Sequence, residues 1–311
     1  MASIAWILLM PSEKFLGRVY GDVLTKTAIS VVLFLIIVIR GKRLICVETW
    51  KYSLRIGLPV ILHNLAGVIL VQFDRFVIQD MIGPRAVGLY SYAYNLAMAP
   101  LIILGATNLA WVPWFYDKMA LNEKEDIRNK SKIYNELFLL SLIVIYITIP
   151  WLGLIMAPKT YYQSLNILPI VIASYYMQFL YTLYVNFAFY FKRTLSVAVG
   201  TVLSGVINIV LNILLVPIFG YEVAALTTLI SYFLLLTFHY INVRFFLKDE
   251  TLSARYVFNW AFVIISISIF HYLISINFGM FSLQEILARI ILFGIVGLYV
   301  IIKIYERFVS I

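Results

Sequence analysis

The stretch that decides the fold runs from Leu195 to Pro217 and reads LSVAVGTVLSGVINIVLNILLVP, without a charged residue. As an α-helix it is long enough to cross a bilayer core, which needs about 20 apolar residues. A shorter apolar stub, Ala2–Met10, opens the chain. The pattern predicts an all-α, polytopic transmembrane helical bundle with about nine full spans and one partial span. The other eight full spans are Val23–Ile39, Gly57–Ile78, Val87–Phe115, Leu137–Ala157, Ile167–Tyr190, Val223–Leu247, Phe258–Phe278 and Glu285–Ile302.

Composition and motifs exclude several classes of protein. The chain is 63% hydrophobic and 13% charged, whereas a soluble domain is about half apolar and about a quarter charged. The single cysteine, Cys46, excludes a disulfide framework. The sequence contains neither a His-Glu-x-x-His zinc motif nor a phosphate-binding Gly-x-x-x-x-Gly-Lys loop. We therefore expect no enzyme, no cofactor and no bound metal, while coupling to a proton or sodium gradient stays open.

Basic residues predict the orientation in the membrane. The net charge is +9, but the basic residues lie in short connections between spans, which indicates anionic lipid headgroups rather than nucleic acid as partners. Their alternation predicts a protein of the bacterial inner membrane with both chain ends in the cytoplasm. The connections predicted to be cytoplasmic hold Arg40, Lys42, Arg43, Lys51, Arg55, Lys118, Lys124, Arg128, Lys130, Lys132, Lys192, Arg193, Arg244, Lys248, Arg255, Lys303 and Arg307.

A polar stripe runs along the span that begins at Gly57. At about 100° per residue, His63 and Asp74 lie on one side of the helix with Gly67. Asn64 and Arg75, the residue that follows Asp74, lie about 80° further round the helix axis on the same side. This stripe predicts either a cavity lining that handles a charged or hydroxyl-rich solute, or a structural ion pair with side chains bonded to neighbouring helices.

Two later spans also carry polar residues. Tyr90 and Tyr94 share one helix face and Ser91 and Asn95 another, which is typical of an interfacial aromatic belt or of a surface that stacks on sugar rings. The spacing of Thr201, Ser204, Asn208 and Asn212 favours close helix packing with interhelical hydrogen bonds over substrate contact. The mixed charges of Lys118–Glu136 indicate a solvated loop.

Two segments of the chain resemble the Wzx-type oligosaccharide flippases, a family related to the MATE transporters. In Lys51–Met119 the matching features are Gly57-Leu58-Pro59, Asp74-Arg75, Gly83 and the run from Ala86 to Ala93. A second segment, Ile167–Phe246, is similar to the family's C-terminal part, although Val223 replaces its usual glycine. The matching residues there are Asn208, Asn212, Pro217, Ile218, Phe219, Gly220, Ala224 and Ala225.

This resemblance implies a MATE-like half-transporter architecture. Residues 1–56 would be the tail of an N-terminal bundle, residues 57–247 a complete six-helix C-terminal bundle, and residues 248–311 an additional helix pair. Much of the N-terminal bundle would be absent. We therefore expect residues 1–311 alone to insert in the membrane but not to restore glycan export.

The resemblance also implies a function and a set of site residues. The protein would flip a polyprenyl-diphosphate-linked oligosaccharide for cell-surface polysaccharide synthesis, with membrane lipids and other polysaccharide assembly proteins as further partners. Three alternatives stay open: a MATE-like exporter of cationic amphiphiles, a membrane enzyme of polysaccharide assembly, and a non-transporting fragment. Arg75 and His63 would counter the diphosphate, and Asp74 would orient Arg75 or take part in cation coupling. Hydrogen bonds to sugar would come from Asn64, Gln72, Tyr94 and Asn95.

Overall fold

The computed structural model describes residues 14–42 and 46–309, and this part of the chain is helical without a strand. A 3₁₀ helix, Lys159–Ile167, precedes α6, and a π-helical turn, Asn242–Phe246, follows α8. The α-helices of this part are α1 Lys14–Gly41, α2 Val47–Met81, α3 Pro84–Leu96, α4 Ala99–Ala120, α5 Lys124–Met156, α6 Leu168–Tyr190, α7 Thr194–Phe219, α8 Val223–Ile241, α9 Ala254–Phe278 and α10 Leu283–Val309.

The predicted polytopic helical bundle is confirmed. Within the described residues, nine segments are long and apolar enough to cross a membrane, and each overlaps one of the nine predicted full spans. The predicted partial span, Ala2–Met10, lies outside the described residues.

The chain divides into two compact units, Met1–Arg55 and Ile56–Ile311. In the first unit, α1 exposes apolar side chains along its length, as a lipid-facing helix does, and Lys26 pairs with Asp22 at 2.7 Å. The second unit contains α2 from Ile56 onwards, α3 to α10, and the site described below. Its predicted division into a bundle at 57–247 and a pair at 248–311 stays a prediction.

Helix α6 is the core of the second unit. It is apolar except for one row of polar residues, Ser174, Gln178, Thr182 and Asn186, and a largely apolar circumference is typical of a helix surrounded by other helices. Helices α4, α5, α8 and α9 pack against it, and Val171, Met177, Phe179, Leu180 and Phe187 on it are fully buried. Polar side chains on α6 therefore face other helices rather than lipid.

The predicted span Val87–Phe115 is interrupted. Helix α3 ends at Leu96 and α4 begins at Ala99, with the break at Ala97 and Met98. Pro100 explains the break, because its ring would clash with the carbonyl of Leu96 four residues earlier and it has no N–H to donate. The prediction of one continuous helix was wrong.

The prediction of a solvated loop at Lys118–Glu136 was also wrong. Helix α5 begins at Lys124, and Asn135 and Glu136 are buried. Asn135 accepts a hydrogen bond from Tyr176 Oη (2.8 Å), and Glu136 accepts one from Tyr256 Oη (3.1 Å). The buried polar residues at the end of this run are therefore matched by partners on α6 and α9.

The start of α5 is joined to the α8–α9 connection at one end of the second unit. Lys124 pairs with Asp249 at 2.8 Å, and Arg128 donates to the carbonyl of Thr251 at 2.9 Å. Burial raises the pKa of the Asp249 carboxyl, but hydrogen bonds from Lys124 and Thr251 outweigh it and hold this pKa below its usual value. Two connections predicted to be cytoplasmic thus lie together.

Candidate functional site

The Asp74 carboxylate on α2 is completely buried among neutral donors. Tyr90 Oη on α3 and Thr228 Oγ1 on α8 both donate to Oδ2, the latter at 2.8 Å. Asn212 Nδ2 on α7 donates to Oδ1 at 2.6 Å. Three helices therefore supply hydrogen bonds to one carboxylate, and an ionisable group held this way inside a membrane protein is rare and commonly functional.

The hydrogen bonds continue away from Asp74 between α7 and α8. Asn212 donates to Asn208 Oδ1 (3.1 Å), Thr227 Oγ1 donates to Asn212 Oδ1 (2.7 Å), and Asn208 Nδ2 donates to Thr228 Oγ1 (3.3 Å). The predicted interhelical bonding of Asn208 and Asn212 is confirmed. We call Asp74, Tyr90, Asn208, Asn212, Thr227 and Thr228 the buried polar cluster.

Arg75 lies beside this cluster but bonds elsewhere. Its Nε donates to Ser91 Oγ (3.1 Å) and its Nη1 to the carbonyl of Val71 (2.8 Å). The guanidinium also lies over the rings of Tyr90 and Tyr94, 5.8 and 5.6 Å from their centroids. Within the described residues it forms no ion pair with Asp74, although Tyr90 contacts both side chains.

The two tyrosines are core residues of the second unit. Tyr90 is 0% and Tyr94 4% exposed, so the interfacial belt considered for them is wrong. Their rings pack with centroids 4.5 Å apart, and Tyr94 Oη is buried without a hydrogen-bond partner within the described part of the chain. Both rings therefore separate the buried carboxylate from solvent.

An open cavity of about 400 Å³ lies between α2, α6, α7 and α8, within the size range of small-molecule sites, about 300–1,000 Å³. No Asp, Glu, Lys or Arg of the described residues lines it. Predicted site residues His63, Asn64 and Gln72 line it from α2. Its other polar or aromatic lining residues are Gln178, Tyr181, Thr201 and Tyr232.

Two contacts define the polar groups of this cavity. His63 Nδ1 lies 2.6 Å from Thr201 Oγ1, which also lies 3.1 Å from the carbonyl oxygen of Val197. Whichever atom donates in this contact, His63 Nε2 forms no hydrogen bond within the described residues. Gln178 Oε1 is buried without a partner within the described residues. The cavity therefore offers unused hydrogen-bonding capacity.

Stacked rings form one wall of the cavity. Tyr181 lies nearly parallel to Tyr232, with centroids 6.3 Å apart, and also stacks on buried His239 at 5.7 Å. Flat aromatic surfaces with polar tips suit sugar rings, which present both C–H faces and hydroxyls.

The structure thus separates the predicted site residues into two groups. His63, Asn64 and Gln72 line the cavity, while Asp74 and Tyr94 are enclosed in the core, with Arg75 beside them. Asn95 is exposed on α3 and does not line this cavity. Whether these residues bind a substrate stays a prediction.

Sequence reasoning missed the cavity residues on α6 and α8. Gln178, Tyr181 and Tyr232 are more than 100 residues from His63, and no local pattern connects them. The available signal was Gln178 itself, because an amide in a largely apolar, buried helix needs a partner or a ligand.

The fold and this site define a polytopic α-helical membrane protein with a neutral polar cavity and a buried carboxylate. Residues 1–119 match the family described as polysaccharide biosynthesis protein, which confirms the resemblance found in Lys51–Met119. The chain is also 29% identical over 168 residues to "Lsg locus putative protein 1" of Haemophilus influenzae, a match that covers 51% of the chain. The match covers 40% of that relative's length. No solved structure matches the chain.

Proposed function

We propose that the protein moves the headgroup of a polyprenyl-diphosphate-linked oligosaccharide across the bacterial inner membrane, for O-antigen, capsule or exopolysaccharide synthesis. The observation that carries this proposal is the cavity lined by amides, hydroxyls, His63 and tyrosine rings. Neutral sugars are bound by such groups, which hydrogen-bond the hydroxyls and cover the apolar ring faces. The polyprenyl tail would stay in the lipid.

Arg75 is the group that we assign to the diphosphate. Its Nε donates to Ser91 and its Nη1 to the carbonyl of Val71. These two hydrogen bonds, together with the packing of the guanidinium over the two tyrosine rings, hold the guanidinium plane in place. Its remaining donors suit phosphate oxygens, which a guanidinium binds bidentately. Asp74 would carry the coupling proton or sodium ion, because it is ionisable and held by neutral donors alone.

The cavity lining disfavours an exporter of cationic amphiphiles. No carboxylate of the described residues lines the wall to neutralise a cation, since Asp74 is fully buried and does not line the cavity, so a cation there would have only the tyrosine rings and neutral polar groups as partners. The same uncharged lining fits a neutral sugar chain.

A binding measurement tests this function. Gln178→Ala in the purified protein is expected to weaken binding of a lipid-linked oligosaccharide about tenfold, the factor that corresponds to one good hydrogen bond. Its affinity for the sugar-free polyprenyl diphosphate should not change, because the diphosphate is assigned to Arg75. Gln79→Ala is the matched control, since Gln79 is exposed on α2 outside the cavity. Unchanged oligosaccharide affinity in Gln178→Ala would contradict the proposal.

We also propose that the end of the second unit that carries Lys124 and Asp249 faces the cytoplasm. In a Cys46→Ser background, single cysteines at Lys124, Lys192 and Lys159 can be labelled with a thiol reagent that does not cross membranes. We expect Lys159→Cys to react in intact spheroplasts, and the other two only after permeabilisation, because basic connections are retained inside. Labelling of Lys124→Cys from outside, with Lys192→Cys protected, would refute the predicted alternation of cytoplasmic and external connections.

A further inference from the structure

A second hollow, separate from the cavity, opens between α7 and α8. It has a volume of about 540 Å³, and its lining includes Leu195, Val199, Phe238, Ile241 and Phe246. Most of these side chains are exposed in the chain: Val199 is 49% and Phe246 is 77% exposed. We call this hollow the α7–α8 groove.

The π-helical turn Asn242–Phe246 shapes one end of this groove. A π-helical turn is wider than an α-helical one and is frequently found at functional sites. Asn242 Nδ2 donates to Ser196 Oγ at 3.2 Å, which joins the turn to the start of α7. This end of the groove is therefore polar, while its length is apolar.

Arg193 supplies a positive charge at the polar end. It immediately precedes α7, is exposed and lines the groove. Within residues 14–42 and 46–309, no hydrogen bond or ion pair involves its guanidinium, whereas Arg244 nearby in the fold pairs with Glu250. The span Thr194–Phe219 begins at the next residue. The guanidinium therefore lies where the headgroups of a surrounding bilayer would be.

We infer that the α7–α8 groove binds an anionic phospholipid, with its phosphate on Arg193 and one acyl chain along Val199 and Phe238. A guanidinium over an apolar channel is complementary to a phosphate joined to a hydrocarbon chain. A free inorganic anion would leave the apolar length of the groove unused. A zwitterionic lipid would bring a second positive charge towards Arg193. This site does not depend on the proposed transport of sugars.

Photo-cross-linking of the full chain in vesicles tests the groove. The probe is phosphatidylglycerol with a photoreactive group on its acyl chain, compared with phosphatidylcholine carrying the same chain. Adducts are expected on α7 and α8, and Arg193→Gln should lower their yield about fivefold, the factor expected for one basic residue at an anionic surface. Val199→Trp should lower it similarly by filling the groove.

Two matched control variants distinguish a loss of lipid binding in the groove from a general effect of side-chain charge or size. Lys192→Gln removes the neighbouring charge outside the groove lining, and Leu203→Trp adds the same bulk on α7 outside the groove, at a side chain that is 50% exposed. Both should keep the yield of the unsubstituted chain. Equal cross-linking of the two lipids, or an unchanged yield in Arg193→Gln, would overturn the inference. The inference would also be overturned if polyprenyl phosphate displaced the probe at a concentration ten times lower than phosphatidylglycerol requires.

Discussion

Asp74→Ala is expected to reduce sharply the amount of folded protein, whereas Asp74→Asn is expected to leave the second unit folded. Alanine would leave the Tyr90 hydroxyl buried without an acceptor, which costs about 1–3 kcal/mol. It would also remove the shortest hydrogen bonds of Asn212 and Thr228, which would keep only their longer ones, to Asn208 Oδ1 (3.1 Å) and to the carbonyl of Ala224 (3.0 Å). Asparagine keeps one acceptor, and the two hydroxyls can rotate to accept from its amide, so the expected loss of stability is small.

Thermal unfolding in detergent measures this difference. Asp80→Ala is the control, because Asp80 lies on the same helix and is exposed. An Asp74→Ala variant as stable as Asp80→Ala would show that the buried polar cluster does not stabilise the fold. Asp74→Asn carries a second readout, since an amide cannot ionise. If Asp74 holds the coupling ion, substrate binding by this variant should no longer depend on proton or sodium concentration.

Arg75→Ala is expected to weaken binding of both the lipid-linked oligosaccharide and the sugar-free polyprenyl diphosphate by about tenfold or more. Charge-assisted hydrogen bonds contribute about 1.5–3 kcal/mol, which corresponds to this range. Arg75→Lys should keep part of the affinity, because an ammonium retains the charge but not the paired donors. Weaker binding of both ligands distinguishes Arg75→Ala from Gln178→Ala, which should weaken binding of the sugar-bearing ligand alone.

Arg85→Ala is the control for this prediction, since Arg85 is exposed at the start of α3. Arg75 is bonded to Ser91 and Val71 rather than to Asp74, so its removal leaves the buried carboxylate with its three donors. We therefore expect Arg75→Ala to fold normally. Normal affinity of folded Arg75→Ala for polyprenyl diphosphate would end its assignment to the diphosphate.

The spans could be predicted from the sequence because membrane insertion depends on a local property, the length of an apolar run. The stretch Leu195–Pro217 shows this, since α7 extends only two residues beyond its predicted end. The break before α4 also has a local signal, Pro100, but the run Val87–Phe115 is largely apolar and was therefore interpreted as one helix. The early start of α5 was not predictable in this way, because partners near Asp249 and Tyr256 allow its charged and polar residues to be buried.

The site was predictable only in part, for a related reason. The helical spacing of Asn208 and Asn212 indicated interhelical bonds, but not that one of them would reach Asp74, which is 138 positions away. Likewise, the polar stripe on α2 identified His63 and Asn64 but not the opposite wall of the cavity. Residues that meet through folding of distant helices leave no periodic signal in a single sequence.

The proposed function is tested most directly by photo-cross-linking of a lipid-linked oligosaccharide whose sugar carries the photoreactive group. We predict adducts on Gln178, Tyr181 and Tyr232, and we expect an excess of unlabelled lipid-linked oligosaccharide, but not of sugar-free polyprenyl diphosphate, to suppress them. The cavity does not receive the sugar headgroup if adducts fall only on lipid-facing side chains such as Leu203, or if the unlabelled ligand does not compete.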